Sequence, residues 1–147
     1  MNNCAAAPDA VAHIRGDRDH SRLRGQVRFY QKRCGVLVVA DLWGLPLSDT
    51  GFFGLHIHEG NSCAGDGFSD TGSHYNPSGN PHPLHAGDLP PVLSYNGRAH
   101  LTVITDRFRV SDILGRTIVI HSDPDDFRSQ PAGNAGVKIA CGDIRGK

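Results

Sequence analysis

No helical periodicity is sustained anywhere along this chain. Instead, short runs rich in Val, Ile, Leu and Phe recur between turn residues: VAHI, QVRFYQ, GVLVVADLW, FFGLHIH, GRAHLTVIT, GRTIVIH and VKIACGDI. Runs of this length with period-two alternation read as strands, and 18 glycines and 9 prolines supply the turns between them. The fold class is therefore all-β. QVRFYQ and GVLVVADLW flank KRC and read as a hairpin, and only SDILG suggests a turn of helix. The 147 residues suit a single domain, 1–147, with residues 1–9 as a flexible start. No internal repeat, linker or low-complexity tract is present.

Fifteen Lys and Arg balance fifteen Asp and Glu, without a long basic run. Neither nucleic acid nor an anionic membrane is expected as a partner, and any attraction of a charged ligand must come from local placement. The start, MNNCAAAPDAVAHIRGDRDH, has no apolar run long enough for a signal-peptide core, and no segment approaches a transmembrane span. A cytoplasmic protein is expected, with a trimmed secreted or periplasmic form as the alternative. Cys4, Cys34, Cys63 and Cys141 form no CxxC pair, so a zinc ribbon has no support.

The region from Glu59 to about Pro91 is too long for an ordinary connection, and such loops are usually functional or disordered. It also concentrates His74, Tyr75, His82 and His85, which a disordered linker would rarely do. In FFGLHIH read as a strand, Phe53, Leu55 and Ile57 face the core, and His56 and His58 share the opposite face. In TIVIH, Ile118 and Ile120 face inward and His121 outward. Alone, an HxH pair on a strand is more often solvated surface than a metal site. The loop changes that balance, because His74, His82, His85 and Asp88 offer the nitrogen and oxygen ligands of a borderline ion such as Zn²⁺ or Cu²⁺. HAGD lets one tight turn aim His85 and Asp88 at one point, eased by Gly87.

HIHEG, GSHYNP, HAGDLP, LGRTIVIH and GNAGVKIACG, in that order from Gly54 to about Ile144, resemble the successive motifs of copper–zinc superoxide dismutases. The resemblance is to the bacterial type, with shortened zinc and electrostatic loops. It implies an eight-stranded antiparallel Greek-key β-barrel or sandwich with long metal-binding loops, and a superoxide-dismutating enzyme with Cu and Zn as cofactors and the superoxide anion as substrate. His56, His58, His74 and His121 would be the copper ligands. His74 would bridge to zinc, completed by His82, His85 and Asp88, and would also be catalytic. Asp125 would be the carboxylate linking a copper ligand to a zinc ligand. Cys63 and Cys141 would form a disulfide, which leaves Cys4 and Cys34 as thiols.

This sequence departs from the family's pattern in places. The stretch from His82 to His85 is short, which bears on His82 as a ligand, and the entrance segment from His121 to Gly136 is also trimmed. Lys138 stands where the family has its guiding arginine, and would take that catalytic role. Arg128 lies in the entrance segment, where solvated surface is the plainer reading. His13, His20 and His100 lie outside the motifs and read as surface residues, and Trp43 as core or interface packing. Family members include monomers and dimers of different geometry, so a homodimer is allowed. The competing reading is a non-enzymatic copper/zinc-binding or metallochaperone-like domain on the same fold.

Overall fold

The computed structural model describes residues 6–147. Cys4 and the first part of the expected flexible start lie outside the described residues, whereas Asp9 is tied down by bonds to Phe29 and Gln31. The strands are β1 (Ala10–Gly16), β2 (Arg24–Lys32), β3 (Gly35–Trp43), β4 (Phe52–Phe53), β5 (Leu55–His58), β6 (Val92–Leu93), β7 (Arg98–Thr105), β8 (Thr117–His121) and β9 (Lys138–Gly146). One turn of helix, α1 (Val110–Ile113), falls where SDILG suggested it, and the sequence reading missed a 3-10 helix over Asp66–Thr71.

Seven strands form one antiparallel sheet in the order β5-β8-β9-β1-β2-β3-β7, and β4 pairs with β6 in a separate ribbon. The chain leaves β3 beside one edge and reappears at the opposite edge as β5. It returns as β7 to pair with β3, then crosses again to pair β8 with β5. These crossings are Greek-key connections. The ribbon joins the two edges, since β4 continues into β5 and β6 turns through Tyr95 and Arg98 into β7. Counting β4 and β5 as one strand interrupted at Gly54 gives the expected eight. The interruption lets the Gly54 amide bond Asp123 at 2.9 Å and its carbonyl accept from His121 at 2.9 Å.

Alternation builds the interior. Val27 and Phe29 of β2 face inward beside Val36, Val38, Ala40 and Leu42 of β3, with Ala10, Ala12 and Ile14 of β1 on their other flank. Ile57, Ile118, Ile120, Ile139 and Ile144 close the same core, all fully buried. Burying each such side chain contributes roughly 1.5–3 kcal/mol. The same alternation corrects one reading: Trp43 follows the inward Leu42, so it points outward and is 47% exposed. It is not a core residue.

Candidate metal centre

All of β5 is buried, including His56 at 0% and His58 at 2% exposure. The two histidines do share the face opposite the core, but that face is roofed by the long loop. Tyr75 donates its amide to the Ile57 carbonyl at 2.8 Å, and Ile57 donates to the Gly87 carbonyl at 2.9 Å. The loop therefore lies against β5 almost as a further strand, which sets His74 opposite His58 and Asp88 opposite His56. A side chain at Gly87 would put its Cβ 2.2 Å from the Ile57 carbonyl oxygen. Gly87 is thus required by close approach to β5. His121 ends β8, where a register shift after Ile120 turns it toward the same place.

The loop is held from outside as well. Arg107 donates to the carbonyls of Pro83 at 2.9 Å and His85 at 3.2 Å. Arg116 donates to the Glu59 carbonyl at 2.9 Å while its guanidinium lies 4.2 Å from the Tyr75 ring centre. In the trimmed segment, the Gln130 side chain accepts from the His82 amide at 2.8 Å and donates to the His82 carbonyl at 2.7 Å. This reciprocal clamp anchors the His82 backbone where the loop is shortest. No motif pointed to Gln130 or Arg107, because their partners are main-chain atoms, distant in sequence.

Two groups of ligand atoms result, sharing His74: His56, His58, His74 and His121 in one, and His74, His82, His85 and Asp88 in the other. Within each group, the atoms lie within 4.8 Å of one another. Asp125 accepts from His56 Nε2 and from His82 Nε2, each at 2.8 Å, and thereby leaves both Nδ1 atoms as lone-pair donors. His58 Nδ1 donates to the Gly72 carbonyl at 2.8 Å, leaving its Nε2 facing His121 Nε2 at 3.2 Å. His74 Nδ1 stands 2.8 Å from Asp88 Oδ1 and 3.4 Å from His85 Nδ1.

Whether these atoms fit a metal can be tested on what they lack. His56 Nδ1, His74 Nε2 and His82 Nδ1 are buried without a hydrogen-bond partner. Buried polar atoms are nearly always paired, so orphaned nitrogens on rings of the two ligand groups mark candidate ligand positions. His82 Nδ1 lies 3.0 Å from Asp88 Oδ2 yet is out of line for a hydrogen bond. Zinc–nitrogen bonds of 2.0–2.1 Å place tetrahedral ligand atoms roughly 3.4 Å apart, close to the spacings found here. The residues fit.

Burial favours the neutral form, which a metal requires, at His56, His58, His85 and His121. It pushes His58 down to about 2 and His121 down to about 3. Burial alone would raise Asp125, but the His56 and His82 hydrogen bonds and the Phe127 amide outweigh it and hold the carboxylate ionised. A stability prediction follows for the metal-free protein. Unfolded histidine titrates near 6.5. Below that pH the unfolded chain binds protons that folded His58 and His121 refuse, so stability falls with pH until their folded values are reached. Denaturant unfolding of chelator-treated protein should give a midpoint that drops steadily from pH 7.5 to 4. An unchanged midpoint would contradict it.

The family comparison agrees with this geometry. The copper/zinc superoxide dismutase (SODC) family profile matches residues 23–144. The chain belongs to the copper/zinc superoxide dismutase family. Among its relatives, "Superoxide dismutase [Cu-Zn] 2" of Aquifex aeolicus is 33% identical over 93% of this chain and 88% of its own length. "Superoxide dismutase [Cu-Zn]" of Legionella pneumophila is 32% identical over 99% and 92%. "Superoxide dismutase [Cu-Zn] 3" of Arabidopsis thaliana is 36% identical over 92% and 88%. Copper and zinc are the cofactors that this family and these histidine groups fit.

Other features of this family member are visible around the site. Cys63 and Cys141 are joined in a disulfide, with Cα atoms 5.8 Å apart, and Cys34 is an exposed free thiol. A pocket of about 700 Å³ opens over the histidines, and His58, His74, His121 and Lys138 line it. Lys138 Nζ donates to Thr71 Oγ1 at 2.7 Å and to the Gly72 carbonyl at 3.1 Å. Arg128 is exposed and is not among the lining residues. His13 and His100 are exposed and His20 is half-buried, all outside both ligand groups.

Proposed function

We propose that this chain converts two superoxide anions and two protons into O₂ and hydrogen peroxide, with His74 shared between its two metal sites. The carrying observation is that this one buried ring belongs to both ligand groups, with Nδ1 2.8 Å from Asp88 Oδ1 and 3.4 Å from His85 Nδ1, and with Nε2 buried without a hydrogen-bond partner. The first group would hold copper and the second zinc. Bound copper, cycling between Cu(II) and Cu(I), supplies the one-electron exchange with superoxide, while redox-inert zinc supplies charge and rigidity at His74.

The chain's own residues do the rest. Lys138 draws the anion into the pocket and meets it at the floor beside His58 and His121. The roofing loop keeps the histidines largely out of water. His74 Nε2 is the atom that holds a proton and passes it to the reduced oxygen product. Asp125 fixes the His56 and His82 rings, so each presents Nδ1 inward. Metal analysis beside a superoxide-decay assay tests the proposal, with one copper and one zinc per chain and dismutation expected. Zinc alone, after copper has been supplied, would overturn it.

Lys138→Ala should lower activity roughly 10-fold at low salt, since local charge steers a small anion. It should also flatten the loss of rate between about 0.01 and 0.1 M salt, over which the screening length falls from about 30 to 10 Å. Lys138→Arg should keep the charge and the rate. Unchanged rate and salt dependence in Lys138→Ala would move the guiding role elsewhere.

No helix among the described residues is long and apolar enough to cross a membrane. The disulfide supports a non-reducing compartment, the secreted or periplasmic alternative, over the cytoplasm. A homodimer is supported by exposed Trp43, Phe52, Leu93 and Tyr95 around the β4–β6 ribbon, and sedimentation would test it.

A further inference from the structure

Lysine is a poor replacement for a guiding arginine, because an ammonium on four methylenes carries charge without a fixed orientation. Here it is not free. Lys138 Nζ bonds Thr71 Oγ1 and the Gly72 carbonyl, reaching from β9 to the end of the 3-10 helix. Thr71 is itself 0% exposed, and its hydroxyl donates to the Phe68 carbonyl at 2.8 Å. The hydroxyl's lone pairs are thereby turned to Lys138. Gly72, the second acceptor, uses the same carbonyl to accept from His58 Nδ1 at 2.8 Å.

We infer that Thr71 is a positioning residue for the dismutation proposed above, whose buried hydroxyl fixes the Lys138 ammonium over the pocket floor. An ammonium has three N–H donors. Thr71 and Gly72 take two, and the third is left for an anion in the pocket. The Gly72 carbonyl joins this arrangement to His58, so the cation and one ligand ring are set from a single peptide. Thr71 and Lys138 lie 67 residues apart in the chain, and the Cys63–Cys141 bridge ties the same two segments together.

The inference rests on the dismutase reading for the anion's identity, but not for the contact itself, and the test separates the two. Thr71→Val keeps the shape and removes the hydroxyl, whereas Thr71→Ser keeps the hydroxyl. In zinc-loaded protein labelled with ¹⁵N-lysine, the Lys138 ammonium resonance should be protected from exchange in the parent and in Thr71→Ser, and should lose protection in Thr71→Val. In copper- and zinc-loaded protein, azide should bind about 3- to 10-fold more weakly to Thr71→Val, as expected where the net worth of one hydrogen bond is lost from the positioning of Lys138. The superoxide rate should fall in parallel while its salt dependence persists, because the charge remains. In a Lys138→Met background, Thr71→Val should change nothing further. Undisturbed Lys138 protection and azide binding in Thr71→Val would overturn the inference, and so would equal impairment of the valine and serine variants. A parent protein that shows the protected ammonium but does not dismute superoxide would overturn the functional reading and leave the Thr71–Lys138 contact standing.

Discussion

His74→Ala is expected to weaken both metal sites at once and abolish dismutation. Each group of four would lose one member through one substitution, because His74 belongs to both. Removing even an outer hydrogen-bond partner of a ligand typically lowers metal affinity 10–100-fold. Loss of the ligand itself should exceed that at both sites. His121→Ala is the control, since His121 belongs only to the first group and its loss should spare zinc. Chelator competition for each metal decides the matter: zinc affinity unchanged in His74→Ala would sink the shared-ring proposal.

Removing the disulfide should bring the largest loss of stability. Cys63 and Cys141 are 78 residues apart, and by loop-closure entropy a cross-link of that span stabilises by about 4.5 kcal/mol. The double replacement Cys63→Ser with Cys141→Ser leaves no stray thiol. It should lower the melting temperature by roughly 15 °C for a chain of this size. Thiol titration of the denatured, non-reduced parent should find Cys4 and Cys34 only. A shift below about 1 kcal/mol, or four reactive thiols in the parent, would refute the role.

Strand pattern was legible in the sequence because it is local, whereas the candidate ligands came from the resemblance of HIHEG, GSHYNP, HAGDLP and LGRTIVIH to the family's motifs. Period-two alternation in FFGLHIH and TIVIH separates core isoleucines from outward histidines, and the structure keeps that division. What alternation could not show is that the outward face is covered, since the cover is the Glu59–Pro91 loop bonded back onto Ile57. Trp43 is the opposite case: it reads as core or interface packing, but alternation after the inward Leu42 already points it outward, which leaves only the interface. Gly87 was read as easing a turn, and its tight approach to the Ile57 carbonyl appeared only once the loop was folded back. Gln130, Arg107 and Thr71 were invisible for a further reason. They act on backbone atoms, or on a side chain far along the sequence, and residue type alone names no such partner.

The histidines of β5 stand back to back with Leu55 and Ile57, chemistry on one side of the strand and packing on the other. Such a division makes the protein modular on the scale of a single residue. Loops over the outer face can be remodelled while Leu55 and Ile57 stay in place, provided that the loop's own core contributions, Tyr75 and Leu89, are kept. Conversely, drift among the interior isoleucines alters durability before it alters catalysis. Selection can therefore reshape the doorway and the foundation of this protein almost independently, within the same four-residue strand.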